Sequence, residues 1–246
     1  MHRAAFHLIR SGWGLTPLEW KFIHRSRLDI APLPTRPHPG ILAGLCRHCS
    51  LDFETLHHIL SMCDSRRSIT KARHDCVQWR LVRAILSTLS LDEEENMRMH
   101  KQIPTDFNIE HRIILKVREG VIIYVDSEVP YLEDRRRPDI LYIDETRKIA
   151  HIIDVSVAVE DTPHAFDNAR EERNLRYADL KTIFQQKGFN SHLNGFVMGA
   201  LGSFDINNMP FLRELSLPPL HSEMLIRFLC SRMIGYACEM YHSYFA

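Results

Sequence analysis

The segment from Arg135 to Asp154 constrains the fold of this chain more than any other. It divides into the pair Pro138-Asp139, an apolar run over 140–143, a polar turn over 144–148 and the start of a second apolar run over 149–159. Short apolar runs bounded by turn residues are typical of buried strands. The segment therefore predicts a strand, a turn and a second strand.

Each of these predicted strands brings a carboxylate to the same edge. Asp154 interrupts the second apolar run, where a buried carboxylate is costly unless it is paired or bound to a metal ion. Asp139 lies at the start of the first strand and is the natural second ligand. This layout is typical of two-metal nucleases. The alternative is structural, because an Asp after Pro often forms a turn and an Asp in an apolar run can cap a bulge or pair with arginine.

Length and composition indicate one large domain or two small ones with real cores. The chain has 246 residues, of which 45% are hydrophobic and 25% charged, as in soluble globular proteins. No run approaches the roughly 20 apolar residues of a membrane span, and residues 1–10 lack the apolar core of a secretory signal. We therefore expect an intracellular protein with no membrane partner.

The formal net charge is zero, so total charge does not indicate a nucleic-acid partner. Basic side chains are nevertheless clustered, and local patches matter more than the sum when phosphates are bound. Such clusters are also ordinary solvated faces in many proteins. The predicted nucleic-acid-binding residues are Arg66, Arg67, Lys71, Arg73 and Arg137.

Three of the six cysteines lie close together and predict a metal site. Together with one histidine they form the set Cys46, Cys49, His58 and Cys63, whose residue types and spacing suit tetrahedral zinc. Four protein ligands leave no open position, which indicates a structural role. His48 and His57 are competing ligands, and the alternative to zinc is a group of buried thiols among surface histidines.

The segment between Cys49 and Cys63 has helical spacing, with Asp52 as its expected N-cap. His58 and Cys63 are five positions apart, about a turn and a half. The helix must therefore fray or end near Cys63 for both side chains to converge.

The chain divides into three predicted parts. Residues 1–40 form a helical segment and a proline-rich linker, 41–90 the zinc region and a basic helix, and 91–246 a larger domain. The other predicted elements are helices over 17–28, 65–89, 162–187 and 212–245, an acidic loop over 92–96, and strands over 121–125 and 190–201. This order predicts an α/β or α+β fold with a mixed sheet flanked by helices.

Several short motifs resemble one family when they are taken together. They are Leu33-Pro-Thr-Arg36, the Cys-Cys-His-Cys set, Glu54-Thr-Leu-His-His-Ile-Leu60, Ala72-Arg-His-Asp75, Arg137-Pro-Asp139 and Asp154-Val-Ser-Val157. From about Arg25 onward the chain resembles the C-terminal region of the polyproteins of site-specific non-LTR retrotransposons. In that family a zinc knuckle and a restriction-enzyme-like endonuclease follow the reverse transcriptase.

The resemblance implies a fold and an activity. The larger domain would have a restriction-endonuclease-like fold that hydrolyses a DNA phosphodiester, and the nick would prime reverse transcription. Asp139 and Asp154 would hold catalytic Mg²⁺. The implied partners are DNA, the RNA of the element and the reverse transcriptase portion of the polyprotein, and the implied location is the nucleus. The polymerase itself is missing, because the sequence contains no Tyr-x-Asp-Asp motif.

One motif departs from the family. Where the family has Lys-x-x-Lys-Tyr after the second carboxylate, this chain has Arg173-Asn-Leu-Arg176-Tyr177. Arginine keeps its proton, so these residues could orient a phosphate but could not act as a base. Lys181 could substitute for the missing lysine, and Glu160 or Glu171 could supply a third carboxylate. Three hypotheses follow: an active endonuclease, an inactive nucleic-acid-binding remnant, and a zinc-stabilised protein-interaction module.

Overall fold

A computed structural model of the protein describes residues 10–12, 14–33, 44–104, 112–129 and 136–245. The predicted linker over 34–40 and Arg135 lie outside these residues. The described α-helices are α1 (Pro17–Arg27), α2 (Arg67–Ser87), α3 (Glu93–Gln102), α4 (Ala165–Arg176), α5 (Ala178–Gln186), α6 (Met209–Glu214) and α7 (Pro219–Tyr244). The strands are β1 (Ile113–Arg118), β2 (Val121–Val125), β3 (Ile140–Asp144), β4 (Ile149–Ala158) and β5 (Asn190–Gly199).

The strands form one five-stranded mixed sheet in the order β1-β2-β3-β4-β5. The first four are antiparallel neighbours, whereas β5 runs parallel to β4. A parallel neighbour requires a crossover, which α4 and α5 provide. The predicted mixed sheet flanked by helices is confirmed, as are the strands that the sequence places on either side of the turn over 144–148.

Helices cover both faces of this sheet, which explains why its central strands are apolar on both sides. On one face α2 and α7 pack against Ile153, Val155 and Phe196. On the other face α5 packs through Leu180 and Phe184 against side chains of β3 and β4. Within the described part of the chain, no helix has the length and apolar character needed to cross a membrane.

Two helical predictions need correction. The acidic segment expected to be a loop begins α3, because Asp92 and Glu95 cap it reciprocally: Asp92 accepts from the Glu95 amide at 2.8 Å and Glu95 accepts from the Asp92 amide at 3.2 Å. The single helix expected over 162–187 is two helices, since Tyr177 has φ −121° and ψ 17° and ends α4. Its ring is buried under the sheet, a tertiary requirement that helical periodicity does not register.

Gly202, after β5, offers a test of how α7 packs on the sheet. A methyl group there would lie 2.5 Å from Cγ1 of Ile234 and 3.0 Å from the carbonyl oxygen of Cys230, both on α7. Gly188 is the matched control, since its φ of 81° is close to the 82° of Gly202 and no described atom lies within 4 Å of its methyl position.

We expect both alanine substitutions to destabilise by about 1–2 kcal/mol through the positive φ. Gly202→Ala should lose roughly 1–3 kcal/mol more than Gly188→Ala, because the added methyl overpacks against α7. Urea unfolding of both variants measures the difference. Equal losses would show that α7 does not lie against this turn.

Candidate functional site

The first candidate site is the cluster of Cys46, Cys49, His58 and Cys63, which the structure brings together. Their ligand atoms all lie within 4.8 Å of one another. Cys46 Sγ is 3.7 Å from Cys63 Sγ, and Cys49 Sγ is 3.2 Å from His58 Nε2. Thiolates and an imidazole at these separations could hold a tetrahedral metal ion such as zinc.

A widened helical turn makes His58 and Cys63 converge. The residues His58–Met62 form a π-helical turn, in which the amide of Cys63 donates to the carbonyl oxygen of His58 at 2.9 Å. A π-turn joins residues i and i+5, so side chains five positions apart share one face. The helix does end before Cys63, as expected, but the convergence comes from widening rather than from fraying.

A tight turn presents the other two ligands. Leu45 and Phe53 form an antiparallel bridge, and the Cys46 amide donates to the carbonyl oxygen of Asp52 at 2.7 Å. Between them the Ser50 amide donates to the carbonyl oxygen of Cys46 at 2.8 Å, and Ser50 itself has φ 56°. This closed loop fixes the Cys-x-x-Cys pair on one side of the cluster.

The two competing histidines are directed elsewhere. His48 Nε2 lies 2.8 Å from the backbone oxygen of Tyr244, and His57 Nδ1 lies 2.5 Å from Oδ2 of Asp161. Of the three histidines that the sequence leaves open, the structure places only His58 among the sulfurs.

Asp52 is not the N-cap that its position predicts. Thr55 takes that role, since its hydroxyl accepts from the His58 amide at 3.1 Å. Asp52 instead accepts from the Phe53 amide at 2.7 Å and places Oδ2 3.8 Å from Nδ1 of His58. A carboxylate beside the nitrogen opposite the sulfurs favours the ring tautomer whose Nε2 is free to bind a metal.

Tyr244, the last residue of α7, closes the cluster and was missed by the sequence analysis. Its hydroxyl lies 3.0 Å from Cys46 Sγ and donates to the buried carboxylate of Glu54 at 2.9 Å. Arg47 forms a bidentate pair with the same carboxylate. Burial disfavours the thiolate of Cys46, but hydrogen bonding with Tyr244 and with nearby backbone amides lowers the pKa of this thiol to about 6. The cluster therefore holds one thiolate ready for a metal at neutral pH.

The second candidate site lies where β3 begins beside β4. Ile140 pairs with Ile153 in the antiparallel register, so Asp139 lies next to Asp154. Oδ2 of Asp139 accepts from the amide of Val155 at 2.5 Å, and Asp154 is 3% exposed. The two carboxylates that the sequence singles out therefore share one edge.

Asp154 lacks the hydrogen bonds that a buried carboxylate normally makes. Its Oδ2 is buried and has no hydrogen-bond partner among the described residues, and the nearest cation, Nε of Arg173, is 3.7 Å away. Burial raises the pKa of Asp154 to about 7, and the charge of Asp139 adds to this effect while Arg173 opposes it. Such an unsatisfied buried oxygen is a free ligand position.

Asp139 is held in its charged form by His74 from α2. Nε2 of His74 lies 3.1 Å from Oδ2 of Asp139, and Nδ1 lies 3.1 Å from Oδ1 of Asp75. Burial opposes charge on this ring, but the two carboxylates outweigh it and raise the pKa of His74 to about 10. Burial likewise opposes charge on Asp139, and the imidazolium and the Val155 amide lower its pKa below the usual range.

A third carboxylate, Asp126, adjoins this edge. It follows β2 with φ 48°, and its amide donates to the backbone oxygen of Asp139 at 3.2 Å. Burial raises the pKa of Asp126 to about 6, a side-chain hydrogen bond with Gln78 opposes this, and the charge of Asp139 adds to it. An Asp just after an apolar strand was the signal available in the sequence.

Neither glutamate considered as a third ligand takes that position. Glu160 accepts from the amides of Leu201 at 2.9 Å and Ser203 at 3.1 Å, so it closes the turn after β5. Glu171 is exposed on α4.

The two arginines that replace the family's lysines are placed differently. Arg173 faces Asp154, whereas the side chain of Arg176 is 46% exposed and lies 3.7 Å from Glu172 on its own helix. The adjoining Tyr177 donates to the backbone oxygen of Arg137 at 2.7 Å and so holds the loop that carries Asp139. Arg173 is thus the one of the pair that lies beside the carboxylates.

Arg73 corrects the predicted basic surface. It is 1% exposed, and burial lowers its pKa to about 10. Its charge lies within the influence of Glu160. A side chain inside the protein cannot reach a phosphate, so the interpretation of Arg73 as a nucleic-acid ligand is wrong.

Of the other predicted phosphate ligands, Arg66 has a structural role. Its guanidinium donates to the hydroxyl and the carbonyl oxygen of Ser243 at 3.0 and 2.9 Å, which ties the start of α2 to the end of α7. Arg67 is exposed, Lys71 pairs with Asp75 at 2.5 Å, and Arg137 pairs with Glu128 at 2.8 Å. These last three remain accessible from solvent.

No protein-family model and no curated protein matches the chain. The family resemblance therefore rests on the motifs quoted above. The side-chain geometry is independent of that resemblance, since it follows from the fold alone.

The buried charge of Asp154 predicts an effect on stability. Asp154 titrates near pH 7 in the folded protein and near 3.9 when unfolded, so the folded state retains a proton that the unfolded chain has lost. Stability therefore falls as the pH rises from about 4 through 7. Asp154→Asn abolishes this loss and should stabilise the protein at pH 8 by about 1–3 kcal/mol, with a smaller gain at pH 5.

Urea unfolding of both proteins without added magnesium checks this. The control is Glu145→Gln, which neutralises an exposed carboxylate in the turn before β4 and should change stability by less than about 0.5 kcal/mol. A destabilised Asp154→Asn protein at pH 8 would contradict the interpretation of Asp154 as an uncompensated buried carboxylate.

Proposed function

We propose that this chain is a magnesium-dependent endonuclease that hydrolyses a phosphodiester bond of DNA. The observation that carries the proposal is the pair Asp139 and Asp154, adjacent across β3 and β4, with a buried Asp154 oxygen that has no hydrogen-bond partner among the described residues. A structural ion pair would satisfy that oxygen. A metal site instead needs it free.

The order of elements agrees with a restriction-endonuclease-like core, as the resemblance implies. Two helices, α2 and α3, precede an antiparallel meander of β1 to β4, and a helical crossover then leads to the parallel strand β5. Asp139 lies just before β3 and Asp154 lies on β4. Fold alone does not determine activity, so the argument depends on the side chains.

The donor set fits magnesium. Carboxylate oxygens are its usual protein ligands, and it takes the rest of its coordination from water and substrate phosphate. Among the described residues Asp139 and Asp154 form no group of three ligand atoms within 4.8 Å, so water and substrate would have to supply most of the coordination. Bound magnesium would stabilise charge on the phosphoryl group and lower the pKa of a coordinated water.

The protein's own side chains divide the remaining tasks. Arg173, 3.7 Å from Asp154, would orient the scissile phosphate, because a guanidinium donates to phosphate oxygens and does not lose its proton. His74 fixes the orientation of the Asp139 carboxylate from the opposite side. Lys181 is half-buried on α5 and replaces the family lysine only if it can approach the reacting water.

Bound zinc would have a structural role, in a knuckle of the Cys-Cys-His-Cys type. Cys46, Cys49, His58 and Cys63 would occupy all four positions of a tetrahedral ion, which leaves none for catalysis. The knuckle contacts α7 through Tyr244, and Arg66 ties the start of α2 to the end of the same helix. The role of the knuckle would be to anchor the start of α2, with the exposed Arg67, to the nuclease core.

A variant of one ligand tests the knuckle. Cys63→Ala should abolish the thiolate-to-metal absorption that Co²⁺ gives when it replaces zinc at a cysteine site, and it should lower the thermal midpoint. Cys76→Ala is the matched control, since Cys76 is also buried but belongs to no group of metal-ligand side chains among the described residues. Unchanged cobalt absorption in Cys63→Ala would show that the four residues are not a metal site.

The proposed partners follow from this assignment. DNA is the substrate, the RNA of the element is a second ligand, and the reverse transcriptase portion of a parent polyprotein would use the nick as a primer. A nuclear location is required for such a substrate. Three exposed or half-exposed cations, Arg67, Lys71 and Arg137, are the described candidates for phosphate contacts.

An inactive nucleic-acid-binding remnant is the second candidate. It is favoured by Arg173, which stands beside Asp154 where the family has lysine and cannot serve as a base. An active endonuclease and an inactive remnant would both bind DNA with an affinity that falls as salt rises, so only a cleavage assay distinguishes them.

Cleavage of supercoiled plasmid in Mg²⁺ or Mn²⁺ is the decisive measurement. Asp139→Ala and Asp154→Ala should each reduce nicking by about a hundredfold or more while DNA binding is retained. Asp167→Ala is the control, because Asp167 is an exposed carboxylate on the same helix as Arg173 and should leave nicking unchanged.

Absence of nicking by the unmodified protein, with salt-dependent DNA binding intact, would support the remnant. Arg173→Lys then tests whether the arginine is responsible, since restored nicking would locate the defect at that position. Arg67→Glu should weaken DNA binding in either case, and salt-insensitive binding that survives this change would exclude a phosphate partner.

A further inference from the structure

A second cluster of ligand-type side chains lies on the opposite face of β4. His151 on β4 and His192 on β5 are partners in the parallel register, and their rings stack with centroids 4.8 Å apart. Glu214, at the end of α6, lies above them with Oε2 3.2 Å from His192 Nδ1 and 3.9 Å from His151 Nδ1. The three ligand atoms all lie within 4.8 Å of one another.

The two faces are distinct because side chains alternate along a strand. His151 packs with Tyr142 and Phe211, whereas the even-numbered Ala150 and Ile152 face the α5 side with Asp154. The cluster is also separate in sequence from the four residues of the cysteine site. It is therefore independent of the proposed nuclease and of its result.

One nitrogen of the cluster, Nδ1 of His151, carries a lone pair rather than a proton. Nδ2 of Asn194 lies 3.4 Å from Nδ1 of His151, and an amide nitrogen can only donate, so this ring nitrogen is an acceptor. The carboxylate oxygen of Glu214 that faces it at 3.9 Å is an acceptor as well. Two acceptors that face each other across such a gap repel unless a cation lies between them.

We propose that His151, His192 and Glu214 bind a divalent transition-metal ion, with Zn²⁺ as the preferred occupant. Two imidazoles and one carboxylate are ligands that zinc accepts in tetrahedral sites, with metal–ligand bonds of about 2.0–2.2 Å. Tetrahedral ligand atoms at that bond length lie roughly 3.3 Å apart. The observed separations of 3.2 and 3.9 Å between Glu214 Oε2 and the two Nδ1 atoms bracket this value, and the side chains of His192 and Glu214 are both partly exposed.

Binding requires one rearrangement of protons. His192 Nδ1 lies 3.2 Å from Oε2 of Glu214, so a proton on that nitrogen would move to Nε2 on metal binding, and Nδ1 of His151 would exchange the Asn194 amide for the ion. Three protein ligands leave the fourth position to water. The ion would fasten the end of α6 to β4 and β5, in addition to the ring contacts that Phe211 makes with His151 and Phe196.

The zinc content of untagged, full-length protein tests the proposal. The protein is saturated with Zn²⁺, freed of excess metal and analysed by mass spectrometry. We expect two equivalents for the unmodified chain and one for His192→Ala. The matched control is His221→Ala, an exposed histidine in the first turn of α7, which should retain two.

Glu214→Gln provides a second variant that keeps the shape of the site and lies near the surface, so a folding defect is not expected. It should weaken binding of the second equivalent by at least about tenfold, as judged by competition with a chromophoric chelator. The second equivalent should also raise the thermal midpoint by about 5 °C in the unmodified protein and not in His192→Ala.

An equal zinc content in the unmodified protein and in His192→Ala would overturn the proposal, whereas one zinc that is lost in His192→Ala would support it and count against the cysteine site instead. Cys63→Ala separates the two sites, because it removes the cysteine-bound ion and leaves the His151 cluster untouched. A Cys63→Ala protein that retains one zinc, lost when His192→Ala is added, would locate that ion at the proposed site.

Discussion

Strand β4 is buried along most of its length, and this burial determines the chemistry of the molecule. Any polar side chain on such a strand must be compensated, because an isolated charge in a packed interior is costly. Asp154 on one face is left with an incomplete partner at 3.7 Å, and His151 on the other faces a carboxylate that it does not reach. Both of these incompletely paired side chains lie where the backbone of β4 is hydrogen-bonded to a strand on each side.

Long-range pairing holds β4 in place. Residues 149–158 of β4 pair with residues 190–199 of β5 in unbroken parallel register. Helix α4 is in turn tied to β5. Asn174 accepts from the Gly195 amide at 2.9 Å, while Arg170 donates to the carbonyl oxygen of Gly195 and pairs with Asp205. These contacts hold α4 against β5, next to β4, and so fix the backbone of Arg173 relative to Asp154. The incomplete pairing of Asp154 therefore arises from the way these elements pack.

The sequence predicts the local elements well because their signals are local. Apolar runs bounded by turn residues identified β2, β3 and β4, and the spacing of thiols and His58 identified the four side chains that could hold a metal ion. The side chains that complete the sites came from afar: Tyr244 lies 198 residues from Cys46, and His74 lies 65 residues from Asp139. No periodicity reports such pairings, which depend on how whole elements pack.

Arg73 shows why a basic pattern is a weak guide to a binding surface. Its position on α2 between charged neighbours predicts a solvated face, yet the helix is covered on more sides than one. The buried and exposed faces of α2 differ little in polarity, because His74, Asp75 and Gln78 on this helix also turn inward to the carboxylate site. Polar residues of a buried site and polar residues of an exposed surface look alike in the sequence, and only the packing of neighbouring elements distinguishes them.

The contrast between Asp139 and Asp154 connects stability with function. Adjacent carboxylates cannot both ionise freely in a buried place, and here His74 favours the charged form of one while burial favours the neutral form of the other. Without metal, the protonated Asp154 keeps the net charge of this edge low. Under the proposed function, a divalent cation would reverse that preference, because it would supply the positive charge that Arg173 holds 3.7 Å away. The incomplete pairing that lowers the stability of the protein would then also favour the proposed ion, and a lysine or arginine able to reach Asp154 would remove both effects together.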